Sequence, residues 1–306
     1  MSRDTTRFAF DPGVDPAVVI TSGDTLLVET QDAHSGTITG PDVVYSTADD
    51  VVARVGGVNP VTGPIAVQGV KPGDLLEVEI VDIEAAPILG YGYMNTTPTL
   101  HPDFEPETTI CYRRDDGVEL PTRRGPVLVP YRPFVGTLGV APSDGPLPSF
   151  LQRPDVLGNV DIPDLCKGAR VRVRANVDGG LLSMGDAHLA QGDAEIHRSA
   201  IEAQADVVVR ITNLGANGAV YPFLPQINNA SEIGSVAPGP GHLEELIRRA
   251  YDDLALRLRD DYAFTLPEAY RLLGAVGTVR IGQVVPPVFS ALAKIERRYI
   301  EEIPDP

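Results

Sequence analysis

The sequence predicts an α+β protein, predominantly β, with its helices near the C-terminus. Three observations lead there. The chain has 28 Pro and 30 Gly in 306 residues, which favours many short strands and turns over long helices. Glycine turns launch alternating strands at three places, Gly23, Gly73 and Gly168. Helical periodicity becomes clear only after residue 240, and strands followed by helices is the order of an α+β fold.

Taken in order, residues 18–30 read as a strand, a Gly-Asp turn and a second strand. Residues 71–84 are the clearest strand of the first half: Leu76, Val78 and Ile80 alternate with Glu77, Glu79 and Val81, giving one buried and one largely acidic face. Residues 85–165 are rich in Pro, Gly and Tyr. Within them Cys111 lies on a strand running into a turn, and the apolar run 132–142 is a buried strand near the centre. Residues 168–177 repeat the alternating pattern, a hint of duplicated β units. A short helix or strand follows residue 197, then a strand over 205–212. Leu243, Leu246, Ile247, Ala250, Leu254 and Leu258 form one stripe of a helix over 242–259. A second helix starts at Thr265, with Glu268 completing a capping box, and ends near Gly277. Residues 278–285 read as a strand closed by Pro286-Pro287, and a last helix covers roughly 288–300. The length suits one compact domain, 1–306, or two β subdomains of about 1–155 and 156–306.

The net charge of −17 repels polyanions, so nucleic acid and anionic membrane are poor partners. Two cysteines, Cys111 and Cys166, are too few for a disulfide framework. The N-terminal residues lack an apolar signal region, and no stretch approaches 18 consecutive apolar residues. A cytoplasmic protein with reduced thiols is the expectation.

The segment with most chemistry is Gly185-Asp186-Ala187-His188-Leu189-Ala190-Gln191-Gly192-Asp193-Ala194-Glu195. It carries three carboxylates, an imidazole and a carboxamide between apolar flanks. Polar groups held there need partners, and a metal or a reacting substrate supplies them; a hydrogen-bonded turn with His188 as a satisfied core histidine is the plainer alternative. Upstream stands Gly158-Asn159-Val160-Asp161, where Asn159 and Asp161 face one side of an extended chain. If the strand at 168–177 returns the chain, the two clusters meet at one end of a sheet. His34, at a strand end, and His101, next to Asp103, are further candidates, each with a surface-loop alternative.

These paired segments resemble the acetamidase/formamidase family. Supporting stretches are 59–65, 71–74, 132–142 and 278–285, in family order across most of the chain. The resemblance implies a β-rich fold of two similar halves, sandwich- or barrel-like, and a homo-oligomer. It also implies hydrolysis of short aliphatic amides, of the formamide or acetamide type, to a carboxylate and ammonia. Two departures stand out: Leu157 where the family usually has the first glycine of Gly-Gly-Asn, and Ala194 where it has the glycine of Gly-Asp-Gly-Glu. Both bear on pocket shape more than on reaction class.

Amide hydrolysis needs an activated water, stabilisation of the oxyanion and an acid for the nitrogen. A divalent metal supplies the first two. One imidazole with two or three oxygens suits Zn²⁺, while more oxygens would suit Ca²⁺ or Mg²⁺. On this reading Asp161, Asp186 and His188 are the ligands, and Glu195 is the general base and then the proton donor. Asp193 stands with Glu195 in the catalytic set, orienting the substrate amide together with Asn159 and Gln191. The division of roles among Asp186, Asp193 and Glu195 stays open. The rival enzyme reading uses Cys166 or Ser183 as nucleophile; the rival class is a non-catalytic binding protein that keeps the metal structurally.

Overall fold

The protein is described here from a computed structural model over residues 1–85, 89–94, 105–216 and 224–301. His101 and Asp103 lie outside the described residues. Strands dominate, as expected. They form a twelve-stranded and an eight-stranded sheet, with a small two-stranded one beside them. Side chains from both large sheets meet in one apolar core, Leu76, Val78 and Ile80 from one and Phe134, Leu138, Leu182 and Met184 from the other.

The three glycine-launched strands all lie in the eight-stranded sheet, as Thr25–Thr30, Leu75–Ala85 and Arg170–Arg174. Gly23, Gly73 and Gly168 sit at φ of 94°, 93° and 87°, which only glycine adopts at little cost. Both large sheets take strands from both halves of the chain.

Helix α1, Ala48–Val55, is a helix that periodicity did not announce; Thr47 and Asp50 form its capping box. Helices α2, Leu243–Tyr262, and α3, Leu266–Val276, match their expected stripe and cap. The α2 stripe of Leu246, Ala250, Leu254 and Leu258 packs with Ile233, Ala237, Ala291 and Ile295 in a second core.

The expected last helix over 288–300 is corrected. Val288–Glu296 is a strand, paired antiparallel with Glu232–Pro240 over nine residues, and only α4, Arg298–Glu301, is helical. Ala291, Leu292 and Ala293 favour a helix locally, but burial under α2 and a full ladder of sheet bonds override that preference. Among the described residues no helix is long and apolar enough to cross a membrane.

Candidate active site

The site is built where three neighbouring strands of the twelve-stranded sheet end their polar residues together. Phe134–Gly139 pairs on one side with Leu157–Asn159 and on the other with Leu182–Ala190. This central strand, not the return at 168–177, joins the two sequence clusters; Arg170–Arg174 belongs to the other sheet. On the far side Ile201–Ala203 places Glu202 directly opposite His188.

Several backbone positions are strained to aim these side chains. Asp161, Asp186 and Glu195 have φ of 47°, 58° and 45°, left-handed values that cost a non-glycine residue roughly 1–3 kcal/mol. Gly136 leaves the room they need. A Cβ there would stand 2.5 Å from Asp161 Oδ1, 2.7 Å from the Asp186 carbonyl oxygen and 3.0 Å from His188 Cε1.

The carboxylates share one pattern: one oxygen is fixed by protein donors and the other is left over. Asp161 Oδ2 accepts from Asn159 Nδ2 at 2.8 Å and Gln283 Nε2 at 3.0 Å. Asp186 Oδ2 accepts from Asn59 Nδ2 at 2.7 Å and stands 3.2 Å from the Thr137 hydroxyl. Glu202 Oε1 accepts from the Ala200 amide at 3.0 Å and Ser199 Oγ at 3.1 Å. Of their second oxygens, Asp161 Oδ1 and Asp186 Oδ1 are buried with no hydrogen-bond partner among the described residues, and Glu202 Oε2 is buried against the His188 ring. These face His188, whose Nε2 lies 2.9 Å from Glu202 Oε2 and 3.7 Å from Asp186 Oδ1. Ligand-type atoms of Asp161, Asp186 and His188 lie within 4.8 Å of one another, as do those of His188, Glu195 and Glu202.

Electrostatics follow from four buried carboxyls around one imidazole. Burial pushes Asp161 up to about 7, with Glu202 adding to the rise and His188 opposing it. Burial likewise holds Asp186 and Glu195 well above the carboxylate range, and neighbouring carboxylates add to it. Glu202 goes the other way, to about 2: burial raises it, but the charge of His188, the bond to that ring and the Ala200 amide together outweigh burial. His188 is held well above its ordinary value: burial lowers it, and Glu202, Asp186 and Asp161 together overcome that. Protein groups alone leave this cluster short of positive charge. A divalent cation would reverse the upward shifts.

A cavity of about 360 Å³ opens over the cluster, lined by Asn59, Asn159, Asp161, Asp186, Glu195 and Glu202 at its floor. His34 lines it too. Its Nδ1 is 2.7 Å from the Tyr91 hydroxyl, which donates to Asp32 Oδ1 at 2.9 Å. Burial lowers the His34 pKa, against Glu202 and Asp32.

The structure brings Asn159, Asp161, Asp186, His188 and Glu195 together. It does not bring Gln191 and Asp193 into the cavity. Gln191 donates to the main-chain oxygens of Asp161 and Gly282, at 2.7 and 3.0 Å, and so braces the loop that presents Asp161. The Asp193 side chain is 58% exposed, 3.5 Å from Arg280. Cys166 lies outside this cavity, with its thiol pushed up by burial; Ser183 is buried against Gly63. Sequence reading missed Glu202, Asn59, Thr137 and Gln283. The last three fall inside stretches that carried the family resemblance. Glu202, a lone acid in the run 200–203, left only that signal.

Comparisons with known proteins give the family. The profile of the acetamidase/formamidase family matches residues 3–157 and 152–221, more than half of the chain. The protein belongs to that family. Among its relatives, a formamidase of Methylophilus methylotrophus is 26% identical over 60% of this chain and 58% of its own length. An acetamidase of Mycolicibacterium smegmatis is 24% identical over 61% of this chain and 60% of its own length. The chain therefore matches about three-fifths of the length of these curated relatives. The crystal structure of an acetamidase from Bacillus halodurans superposes with a TM-score of 0.88 at 28% identity, covering 99% of both chains. The likeness to that structure thus includes the region beyond residue 221 that supplies Gln283.

Proposed function

We propose that this protein hydrolyses primary carboxamides to a carboxylate and ammonia, with a resident divalent cation, Zn²⁺ foremost, among Asp161, Asp186 and His188. The observation that carries this reading is the pair of buried carboxylate oxygens without partners among the described residues, Asp161 Oδ1 and Asp186 Oδ1, beside one imidazole that Glu202 also reaches. Burying charge with no counter-charge is costly, and a cation of this donor preference removes the cost. Glu202, unforeseen in the sequence, stands beside His188 as a further ligand or as its orienting partner. Bound there, such a cation polarises a carbonyl and lowers the pKa of a water.

The chain's own residues do the rest. Asn59 and Thr137 hold Asp186, and Asn159 and Gln283 hold Asp161, so each carboxylate presents a fixed oxygen. Glu195, buried at the cavity floor, takes a proton from the attacking water. It then returns that proton to the departing nitrogen. Asn159 and His34 face the same space and orient the amide. Assembly into a homo-oligomer belongs to the same reading, and light scattering checks it.

The test is Glu195→Gln. Ammonia release should fall by about 10²–10⁴-fold, the usual contribution of general acid–base catalysis, while bound metal stays at the wild-type level. Loss of the metal with the activity would make Glu195 a ligand and send the base role elsewhere in the cluster.

A further inference from the structure

The cavity above the cluster is far larger than the smallest amides require. Its volume is about 360 Å³, the space of roughly twelve waters at about 30 Å³ each. Acetamide, with four non-hydrogen atoms, would displace about two or three of them. The walls differ in kind from the floor. Above the polar floor stand Val51 and Val52 of α1, Val58, Phe150, Val285 and Pro286. Phe150 and Val52 keep 42% and 45% of their surface exposed, so apolar side chains rim the opening. Apolar walls above a few convergent polar groups are the usual build of a small-molecule site.

The geometry limits what that can be. If hydrolysis occurs at the floor, the carboxamide must sit against Asp161, Asp186 and Glu195. Its acyl substituent then runs outward along the valine and proline walls. An anionic substituent suits the space poorly, because five carboxylates line the cavity and Arg198 is the one Lys or Arg among its lining residues; a cationic one would have to lie along the apolar valine and proline walls. We propose that the substrate is a primary amide with a neutral, apolar acyl group of about four to seven carbons, sized to a cavity in the range that holds small organic ligands, rather than formamide or acetamide. This rests on the amidase reading.

The experiment compares kcat/KM for formamide, acetamide, butyramide, hexanamide and benzamide on metal-loaded protein. The expected result is a rise from acetamide to hexanamide of about fourfold per methylene buried. A steady fall with chain length overturns the proposal. Should no amide release ammonia, the amidase reading fails by itself, and the cavity is still tested by calorimetry. Hexanoate should then bind at least tenfold tighter than acetate; equal affinity, or none for either, overturns the proposal. Val52→Trp, at an exposed helix position, should lower the hexanamide-to-acetamide ratio at least tenfold. If the rim is instead covered by a second copy of the chain, Val52→Asp would dissociate the oligomer and leave that ratio unchanged, which also overturns the proposal.

Discussion

Two acidic clusters lie on opposite sides of Glu195 and are resolved in opposite ways. On one side, Asp161, Asp186 and Glu202 are buried around His188, with Asp161 Oδ1 and Asp186 Oδ1 unpartnered among the described residues. On the other, a wider cavity of about 950 Å³ holds Asp164, Glu232 and Asp193. There the protein supplies its own cations. Lys294 Nζ lies 2.7 Å from Asp164 and 2.9 Å from Glu232, and Arg280 lies 3.0 Å from Asp164. Asp161 and Asp164 are only three residues apart yet fall on different sides, while Glu195 lines both cavities. The difference teaches that acid content does not mark the site. The site is where burial is high and internal counter-charge is missing, which is the condition for an external cation.

That contrast can be broken or sharpened by mutation. Beyond the change at Glu195, the largest effect is expected from Gly136→Ala. Its methyl would enter the space of Asp161 Oδ1 and the Asp186 backbone. A displacement of about 1 Å at a catalytic centre costs about a hundredfold in rate, and metal content should fall with it. Steady-state ammonia release with metal analysis reads both.

Gln283→Leu comes next. It removes donors to Asp161 Oδ2 and the Asn159 carbonyl without touching an unpartnered oxygen. Metal affinity should drop by about 10–100-fold, the usual effect of losing an outer support, as measured by competition with a coloured chelator.

The third effect is on stability. In metal-stripped protein Asp161, Asp186 and Glu195 bind protons more tightly folded than unfolded. Such groups make the folded state less stable as pH rises from their unfolded values near 4 through their folded ones, about 7 for Asp161. His188, also raised, acts with the same sign above about pH 6.5. Glu202 acts oppositely, but between its ordinary 4.5 and about 2, below this window. The Tm of chelated protein should therefore fall from pH 5 to 8, and metal loading should flatten or reverse that slope. A chelated protein whose Tm rises over this range would refute the charge imbalance.

The smallest effect belongs to the other cluster. Asp193→Asn disturbs an exposed ion pair worth about 0–1 kcal/mol, and kcat/KM should change less than about threefold. A hundredfold loss would restore Asp193 to the catalytic set.

Much of the fold was legible because it rests on local patterning. The glycine-launched strands, the stripe of α2 and the Thr265 cap of α3 each follow from spacing within a few residues. Val288–Glu296 was misread because alanines and leucines favour a helix until a neighbouring strand pairs with them. The site was half legible. Asp186, His188 and Glu195 sit in one polar segment between apolar flanks, and Asp161 in another. Glu202 reaches His188 only through strand register, and Gln283 reaches Asp161 from 122 residues away. Such neighbours are set by sheet order, which no local pattern encodes. Gln191 and Asp193 share the segment of Asp186, His188 and Glu195, but the chain leaves the sheet after Ala190, and alternation no longer says which way they point.

The central claim is that the unpartnered oxygens hold a catalytic cation. It is tested most directly by elemental analysis of the purified full chain, paired with ammonia release from acetamide and hexanamide before and after chelation. The account predicts about one divalent cation per chain, with release abolished by chelation and restored when metal is returned. Ammonia release that survives complete removal of metal would contradict it, and bound metal with no release from any amide would point to a non-catalytic binding protein instead.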